Sequence, residues 1–152
     1  MAKTIKTSII LAFMLLLYAT VNAQQNNHHL TKLKTENNME NKNFTTTITV
    51  KKSAQEVFSC ITDVTNWWSK DFEGSSTILH DEFVIHHSGL HYSKQKLVDV
   101  IPNKKMVWLV TDSTLYWLQN DQHEWTNTKM IFEITTAGNN TILNFIHEGL
   151  VP

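Results

Sequence analysis

The sequence has 152 residues, of which 41% are hydrophobic and 18% are charged, as expected for one ordinary globular domain. Its 13 Lys and Arg residues and 14 Asp and Glu residues leave a formal net charge of -1, so there is no basic excess for contacts with a phosphate backbone. This balance disfavours nucleic-acid binding. The single cysteine, Cys60, cannot form an internal disulfide and is expected to pack as a small core residue.

The first 23 residues have the pattern of a cleavable secretory signal peptide. Lys3 and Lys6 precede an apolar block from Ile9 to Ala19, and small or branched residues precede a cleavage point after Ala23. The block is about ten residues long, roughly half of what spans a bilayer as a helix. We therefore expect secretion or export to the periplasm, with no stable membrane anchor after cleavage. The alternative is translation from Met39, which would give a cytoplasmic protein.

Residues 24–43 are rich in Asn, Gln and Lys and have almost no large apolar side chains, so we expect a disordered linker. The segment Phe44–Val50 then alternates in the way that predicts a half-buried strand. Ser53 and Glu56 form a capping box at the start of a short helix that leads to a tryptophan pair. The apolar residues of this helix have the spacing of one buried face, and they are Ala54, Val57, Phe58, Ile61 and Val64.

The rest of the chain is dominated by β-patterns separated by turn signals. Strands are predicted at residues 82–87, 91–101, 105–112, 128–135 and 141–148. We expect residues 72–76 to be a loop, and residues 113–127 to be a short strand with a long excursion at the sheet edge. The order predicts an α+β fold: a curved antiparallel sheet of six to seven strands with a short helix after strand 1.

The apolar face of such a sheet is larger than one three-turn helix covers, and uncovered apolar patches beyond a few hundred Å² are uncommon on monomers. The sequence ends in Gly149-Leu150-Val151-Pro152, which resembles the entrance to a further element. The domain at residues 44–152 is therefore expected to be incomplete at its C-terminus.

A resemblance to a known superfamily is carried by four segments, TTTITVKKSAQEVFSCITDVTNWW, KKMVWLV, EWTNTKMIFEI and LNFIHEGLVP. Their order and spacing resemble the SRPBCC superfamily, which has the START-like, Bet v 1-like helix-grip fold. Within it the chain is most similar to small bacterial AHSA-type proteins, classed as activator of heat-shock-protein-90 ATPase homologue-like. These share an early "VFxxI…WW" pattern and a late "F.H.GL.P" pattern, and the resemblance covers nearly all of residues 44–152.

The resemblance implies a long C-terminal helix that the sheet grips and that forms one wall of a deep apolar cavity. This sequence lacks that helix, so the chain is interpreted as truncated before it, or as needing a partner chain to cover the open sheet face. The implied function is binding of a small hydrophobic molecule, without a cofactor. The alternatives are an enzyme of the polyketide cyclase or dehydratase type, which is less favoured, and a chaperone ATPase activator if translation starts at Met39.

Aromatic residues are the main candidates for ligand contact, because ligand pockets are lined by aromatic side chains with a few polar groups. Core packing is the alternative for each of them. The predicted ligand-binding residues are Trp67, Trp68, Phe83, Trp108, Trp117, Phe132, Phe145 and His147, and Trp125 belongs to the same aromatic set.

His147 is in phase with Leu143 and Phe145, so its side chain is expected to point inward. There it would orient the polar end of a ligand or act as an acid–base group beside a carboxylate, although a hydrogen-bonded structural histidine is the favoured interpretation. Glu133 and Glu148 are expected to project to the opposite, solvated face.

Four histidines, His80, His86, His87 and His91, raise the question of a metal site. His86 and His87 point to opposite sides of a strand, so at most two of the four would converge with a carboxylate such as Asp81, and no metal is predicted. The sequence contains no Gly-rich phosphate loop, GxSxG elbow or HExxH motif, which excludes the commonest hydrolase and nucleotide-binding signatures.

Overall fold

The structure is a computed structural model that describes residues 43–150. The predicted signal peptide, the linker up to residue 42 and the last two residues of the chain lie outside the described residues. Within the described part, no helix is long and apolar enough to cross a membrane.

The described residues form one antiparallel sheet and one α-helix. In chain order the elements are β1 (Phe44–Val50), α1 (Ala54–Thr62), a 3-10 turn (Val64–Asn66), β2 (Phe72–Gly74), β3 (Glu82–His87), β4 (His91–Ile101), β5 (Lys105–Leu115), β6 (Lys129–Ala137) and β7 (Asn140–Glu148). The sheet order is β1-β7-β6-β5-β4-β3-β2, so β2 to β7 form a continuous meander and β1 closes the far edge against β7. The predicted α+β class is confirmed, and the seven strands agree with the predicted six to seven.

The capping box predicted at the start of α1 is present. The backbone N–H of Glu56 donates to Ser53 Oγ over 3.2 Å, and the Ser53 N–H donates to the Glu56 carboxylate over 3.0 Å. The helix ends at Thr62, and the 3-10 turn continues its apolar face, so that Val57, Ile61 and Val64 are buried. Cys60 is half-buried rather than enclosed in the core.

Two element boundaries differ from the sequence prediction. Phe72–Gly74, expected to be a loop, forms the edge strand β2, because its backbone pairs with Phe83–Ile85 of β3. The separate short strand expected after residue 112 is instead the end of β5. A register shift between Lys94 and Gln95 on the pairing with β4 absorbs one extra residue, so the ladder continues to Leu115.

The register gives the sheet two chemically different faces. On the face that we call inner, every residue with a buried side chain is apolar or an uncharged polar residue, for example Leu143, Trp108 and Ser93. Every Asp, Glu and Lys of the seven strands projects from the opposite, outer face, and these are Glu73, Glu82, Lys94, Lys96, Asp99, Lys105, Asp112, Lys129, Glu133 and Glu148. Glu133 and Glu148 therefore lie on the solvated face, as the strand alternation predicted.

Candidate functional site

Three tryptophans form what we call the tryptophan stack, in the middle of the inner face. Trp108 projects from β5, and Trp67 and Trp68 follow the 3-10 turn. The rings of Trp68 and Trp108 are nearly parallel, 6° apart with centroids 5.8 Å from each other, and Trp67 stacks on both at 5.7 and 6.1 Å. The indole N–H of Trp67 donates to the carbonyl oxygen of Ile61 over 3.3 Å, which fixes this ring against the end of α1.

Phenylalanines enclose the stack from the neighbouring strands. Phe83 of β3 meets the Trp108 ring edge-on at 5.1 Å, and Phe132 of β6 lies 4.6 Å from it. Phe145 of β7 packs on Phe132 at 5.2 Å. Trp108 and these three phenylalanines are at most 4% exposed, whereas Trp67 and Trp68 are half-buried. The stack is thus closed towards the sheet and partly open on the side of the tryptophan pair.

A second aromatic group surrounds His91, the first residue of β4, and we call it the His91 cage. Its members are Trp68, His87, Trp117 and Trp125, with ring centroids 5.4 to 6.1 Å from the His91 ring. His87 pairs with His91 across the β3–β4 hairpin, and the two tryptophans after β5 come from the loop that follows that strand. Trp68 belongs to both groups, so the cage and the stack form one continuous aromatic surface.

His147 lies beside the cage and is already hydrogen-bonded. Its Nε2 is 2.8 Å from Thr128 Oγ1, and this hydroxyl donates to the carbonyl oxygen of Trp125 over 2.5 Å. Burial lowers the pKa of His147 to about 4, so the imidazole is neutral at pH 7. The His147–Thr128–Trp125 chain holds the Trp125 ring 5.4 Å from the imidazole. Its bonding partner is a hydroxyl rather than a carboxylate.

His91 differs from His147 in its hydrogen bonding. It is 2% exposed, and neither ring nitrogen has a partner among the described residues. Burial lowers the pKa of His91 to about 4, and the neighbouring His87 adds to this shift. The indole N–H of Trp108 is the other buried polar side-chain group of the described residues without a partner.

All eight residues predicted to contact a ligand belong to this continuous aromatic surface, which lies on the inner face of the sheet. Whether they touch a ligand stays a prediction. From the sequence, His91 was a candidate only for metal binding. Its phase with Ser93, Gln95 and Leu97 already placed it on the inner face, so the strand alternation contained the signal that it is buried.

Of the other histidines considered for a metal, His87 lies beside His91, whereas His80 and His86 lie elsewhere. His86 projects to the outer face, where it contacts Tyr92, and His80 is exposed. The carboxylate of Asp81 accepts hydrogen bonds from the backbone N–H groups of Thr77 and Ile78, and is thereby committed to its own loop. No group of three or more potential metal ligands occurs among residues 43–150.

An open groove of about 520 Å³ lies at the N-terminal end of α1. Its lining is mostly polar and includes Lys52, Ser53, Glu56 and Asn139. None of the predicted ligand-binding residues lines this groove. We therefore place the candidate site at the aromatic surface, where buried polar groups without partners also occur.

Three solved structures illustrate what the chain is similar to. The Aha1 dimer from Colwellia psychrerythraea is 22% identical with a TM-score of 0.59, and the match covers 72% of this chain and 78% of that one. Protein MLL2253 from Mesorhizobium loti is 14% identical with a TM-score of 0.61, covering 73% and 79%. CalU16 from Micromonospora echinospora is 14% identical with a TM-score of 0.52, covering 72% and 61%.

No protein-family model matches the chain, and no curated protein matches it significantly. At these identities the structural similarity establishes the fold and leaves the activity open. The part of the resemblance that concerns the fold is confirmed: residues 43–150 share the curved α+β fold of these solved structures.

Proposed function

We propose that this chain binds a small hydrophobic molecule on the inner face of its sheet, against the half-buried rings of Trp67, Trp68 and Trp117. The observation that carries this proposal is the separation of chemistry between the two faces. The strands place every charged side chain on the outer face, while the inner face gathers the aromatic rings into one surface.

Binding would be driven by removal of apolar surface from water, at about 25 cal/mol for each Å² buried. Flat rings also favour flat guests, because offset and edge-on contacts between aromatic systems add to the area term. The stack and the cage provide both geometries, with ring planes from 6° to 87° apart. A small aromatic compound suits this surface better than a long flexible chain.

A catalytic role of the cyclase type would need an acid–base pair at this surface. His147 is bonded to Thr128, and the strands supply no carboxylate to the inner face. Among the described residues no observation favours catalysis over binding. The chaperone-activator alternative depends on the translation start at Met39, which lies outside the described residues.

The test is equilibrium dialysis of the purified full chain against naphthalene, with Trp117→Ala as the site variant. The matched control is Tyr116→Ala, the preceding residue, whose side chain is exposed. Naphthalene should bind to the wild type and to Tyr116→Ala, and about 10-fold more weakly to Trp117→Ala, as lost aromatic contact predicts. Absence of naphthalene binding to the wild-type chain would overturn the proposal.

A further inference from the structure

His91 is a buried polar side chain whose hydrogen-bonding capacity is not used by any residue from 43 to 150. A neutral imidazole has one donor and one acceptor nitrogen, and both are enclosed here without a partner among the described residues. Buried polar groups in folded proteins are nearly always paired, because leaving one unpaired forfeits its hydration without replacement. An unpaired histidine therefore points to a molecule that pairs with it.

The polar residues next to His91 on the inner face do satisfy one another. With the amide of Gln95 oriented to satisfy both of its ends, its oxygen accepts from Ser93 Oγ over 2.6 Å and its nitrogen donates to the carbonyl oxygens of Phe83 and Ser93. Ser113 Oγ lies 2.9 Å from Thr126 Oγ1. Among these neighbouring polar residues of the inner face, His91 is therefore the exception. A hydrogen-bond partner would stabilise it as much as it stabilises the others.

The surroundings of His91 also restrict the charge of such a molecule. Its neighbours in the cage are three indole rings and the imidazole of His87, and the strands bring no Lys, Asp or Glu to this face. The pKa of His91 is held near 4, so the ring carries no charge at neutral pH. An anion or a cation placed here would lose its hydration without gaining a counter-charge.

We propose that His91 is the polar recognition group of this site, and that the ligand is an uncharged aromatic compound whose hydroxyl or carbonyl oxygen bonds the imidazole. This inference rests on the proposed function and specifies its ligand class. The rings of Trp68, Trp117 and Trp125 hold the flat body, and His91 fixes its orientation. His147, bonded to Thr128, stabilises the Trp125 side of the cage.

The experiment compares three probes of equal ring size, naphthalene, 2-naphthol and 2-naphthoate, by equilibrium dialysis at pH 7.0. The wild type should bind 2-naphthol about 10-fold more tightly than naphthalene, because the naphthol hydroxyl forms a hydrogen bond with an imidazole nitrogen that naphthalene leaves unpaired. It should bind 2-naphthoate about 10-fold more weakly than 2-naphthol, because the carboxylate finds no counter-charge.

The variant His91→Phe keeps the ring and removes both nitrogens, so the preference for 2-naphthol over naphthalene should disappear. His91→Gln retains a donor and an acceptor and should keep part of that preference. The matched control is His86→Phe, the same substitution in the same hairpin with the side chain on the outer face, and it should keep the full preference. The imidazole ¹⁵N shifts of His91 should also move when 2-naphthol is added.

The outcomes separate this inference from the proposed function. If naphthalene binds but His91→Phe keeps the full 2-naphthol preference, His91 is not the recognition group, while hydrophobic binding stands. If 2-naphthoate binds as tightly as 2-naphthol, the uncharged class is wrong. If none of the three probes binds to the wild type, the proposed function itself fails.

Discussion

The tryptophan stack and the His91 cage lie side by side on the inner face, share Trp68, and are built from the same kinds of ring. They differ in how many of their buried polar groups have hydrogen-bond partners. The stack is enclosed by phenylalanines from β3 and β6. Among residues 43–150, one indole N–H of the stack has no hydrogen-bond partner, whereas the cage encloses a histidine with two such nitrogens. The stack has the character of a core, and the cage has the character of a binding site that its own side chains do not complete.

This difference shows why aromatic content alone does not locate a site. An indole ring packs equally well in a core and against a ligand, because both provide apolar contact. A buried polar group without a partner is more informative. If the region were only a packed core, an apolar side chain at that position would make the protein more stable. Three predictions test the comparison between the two regions.

The largest effect is expected from Trp108→Ala in the stack. Trp108 is fully buried and contacts Trp67, Trp68, Phe83 and Phe132, so truncation leaves a large cavity. The free energy of unfolding should fall by about 3–5 kcal/mol, measured by urea denaturation. Trp117→Ala in the half-buried part of the cage should cost less than about 2 kcal/mol. Equal losses at the two positions would remove the distinction between core and site.

A second effect is expected from pH, because the two fully buried histidines of the inner face, His91 and His147, are uncharged. Their folded pKa values are about 4, below the ordinary value of 6.5, so the unfolded chain takes up protons first as the pH falls. The contribution of these neutral histidines to the free energy of unfolding should be fully present above pH 6.5. It should be lost as the pH falls towards 4, by up to about 3 kcal/mol for each histidine. The raised pKa of Glu124 acts in the opposite direction, because the folded chain then takes up a proton more readily.

The measurement is urea denaturation at pH 7.0 and pH 5.0 for the wild type, His147→Gln and His80→Asn. The first variant should show a smaller loss of stability on acidification, because one buried titrating group is removed while the amide still pairs with Thr128. The second replaces an exposed histidine in a left-handed conformation that Asn tolerates, and it should behave as the wild type. An unchanged pH dependence in His147→Gln would contradict the burial argument.

The smallest effect, and the one with an unusual sign, is expected from His91→Phe. Replacing a buried imidazole without partners by a phenyl ring should raise the free energy of unfolding by about 1 kcal/mol at pH 7.0, measured by urea denaturation without any ligand. The matched change His147→Phe should instead lower it by about 1 kcal/mol, because it breaks the bond to Thr128. A destabilised His91→Phe variant would show that His91 is an ordinary structural residue.

Much of the fold could be predicted because its signals are local. The capping box at Ser53, the turn at Gly89 with its positive φ, and the alternation of the long strands each depend on residues that are close in the chain. The two wrong predictions of strand boundaries concern non-local pairing. Phe72–Gly74 is a strand only because its backbone pairs with the edge of β3. The end of β5 is set by an irregularity in its pairing with β4.

The sequence by itself determined that this is an α+β domain with an aromatic, uncharged inner face, since alternation fixes which side chains share a face of a strand. Only the tertiary structure decided that Trp67 and Trp68 stack on Trp108, that Thr128 is the partner of His147, and that His91 has no partner within the described part of the chain. Those outcomes depend on groups that the fold brings together from distant parts of the chain, and hydrogen bonding acts only over about 3 Å between such groups.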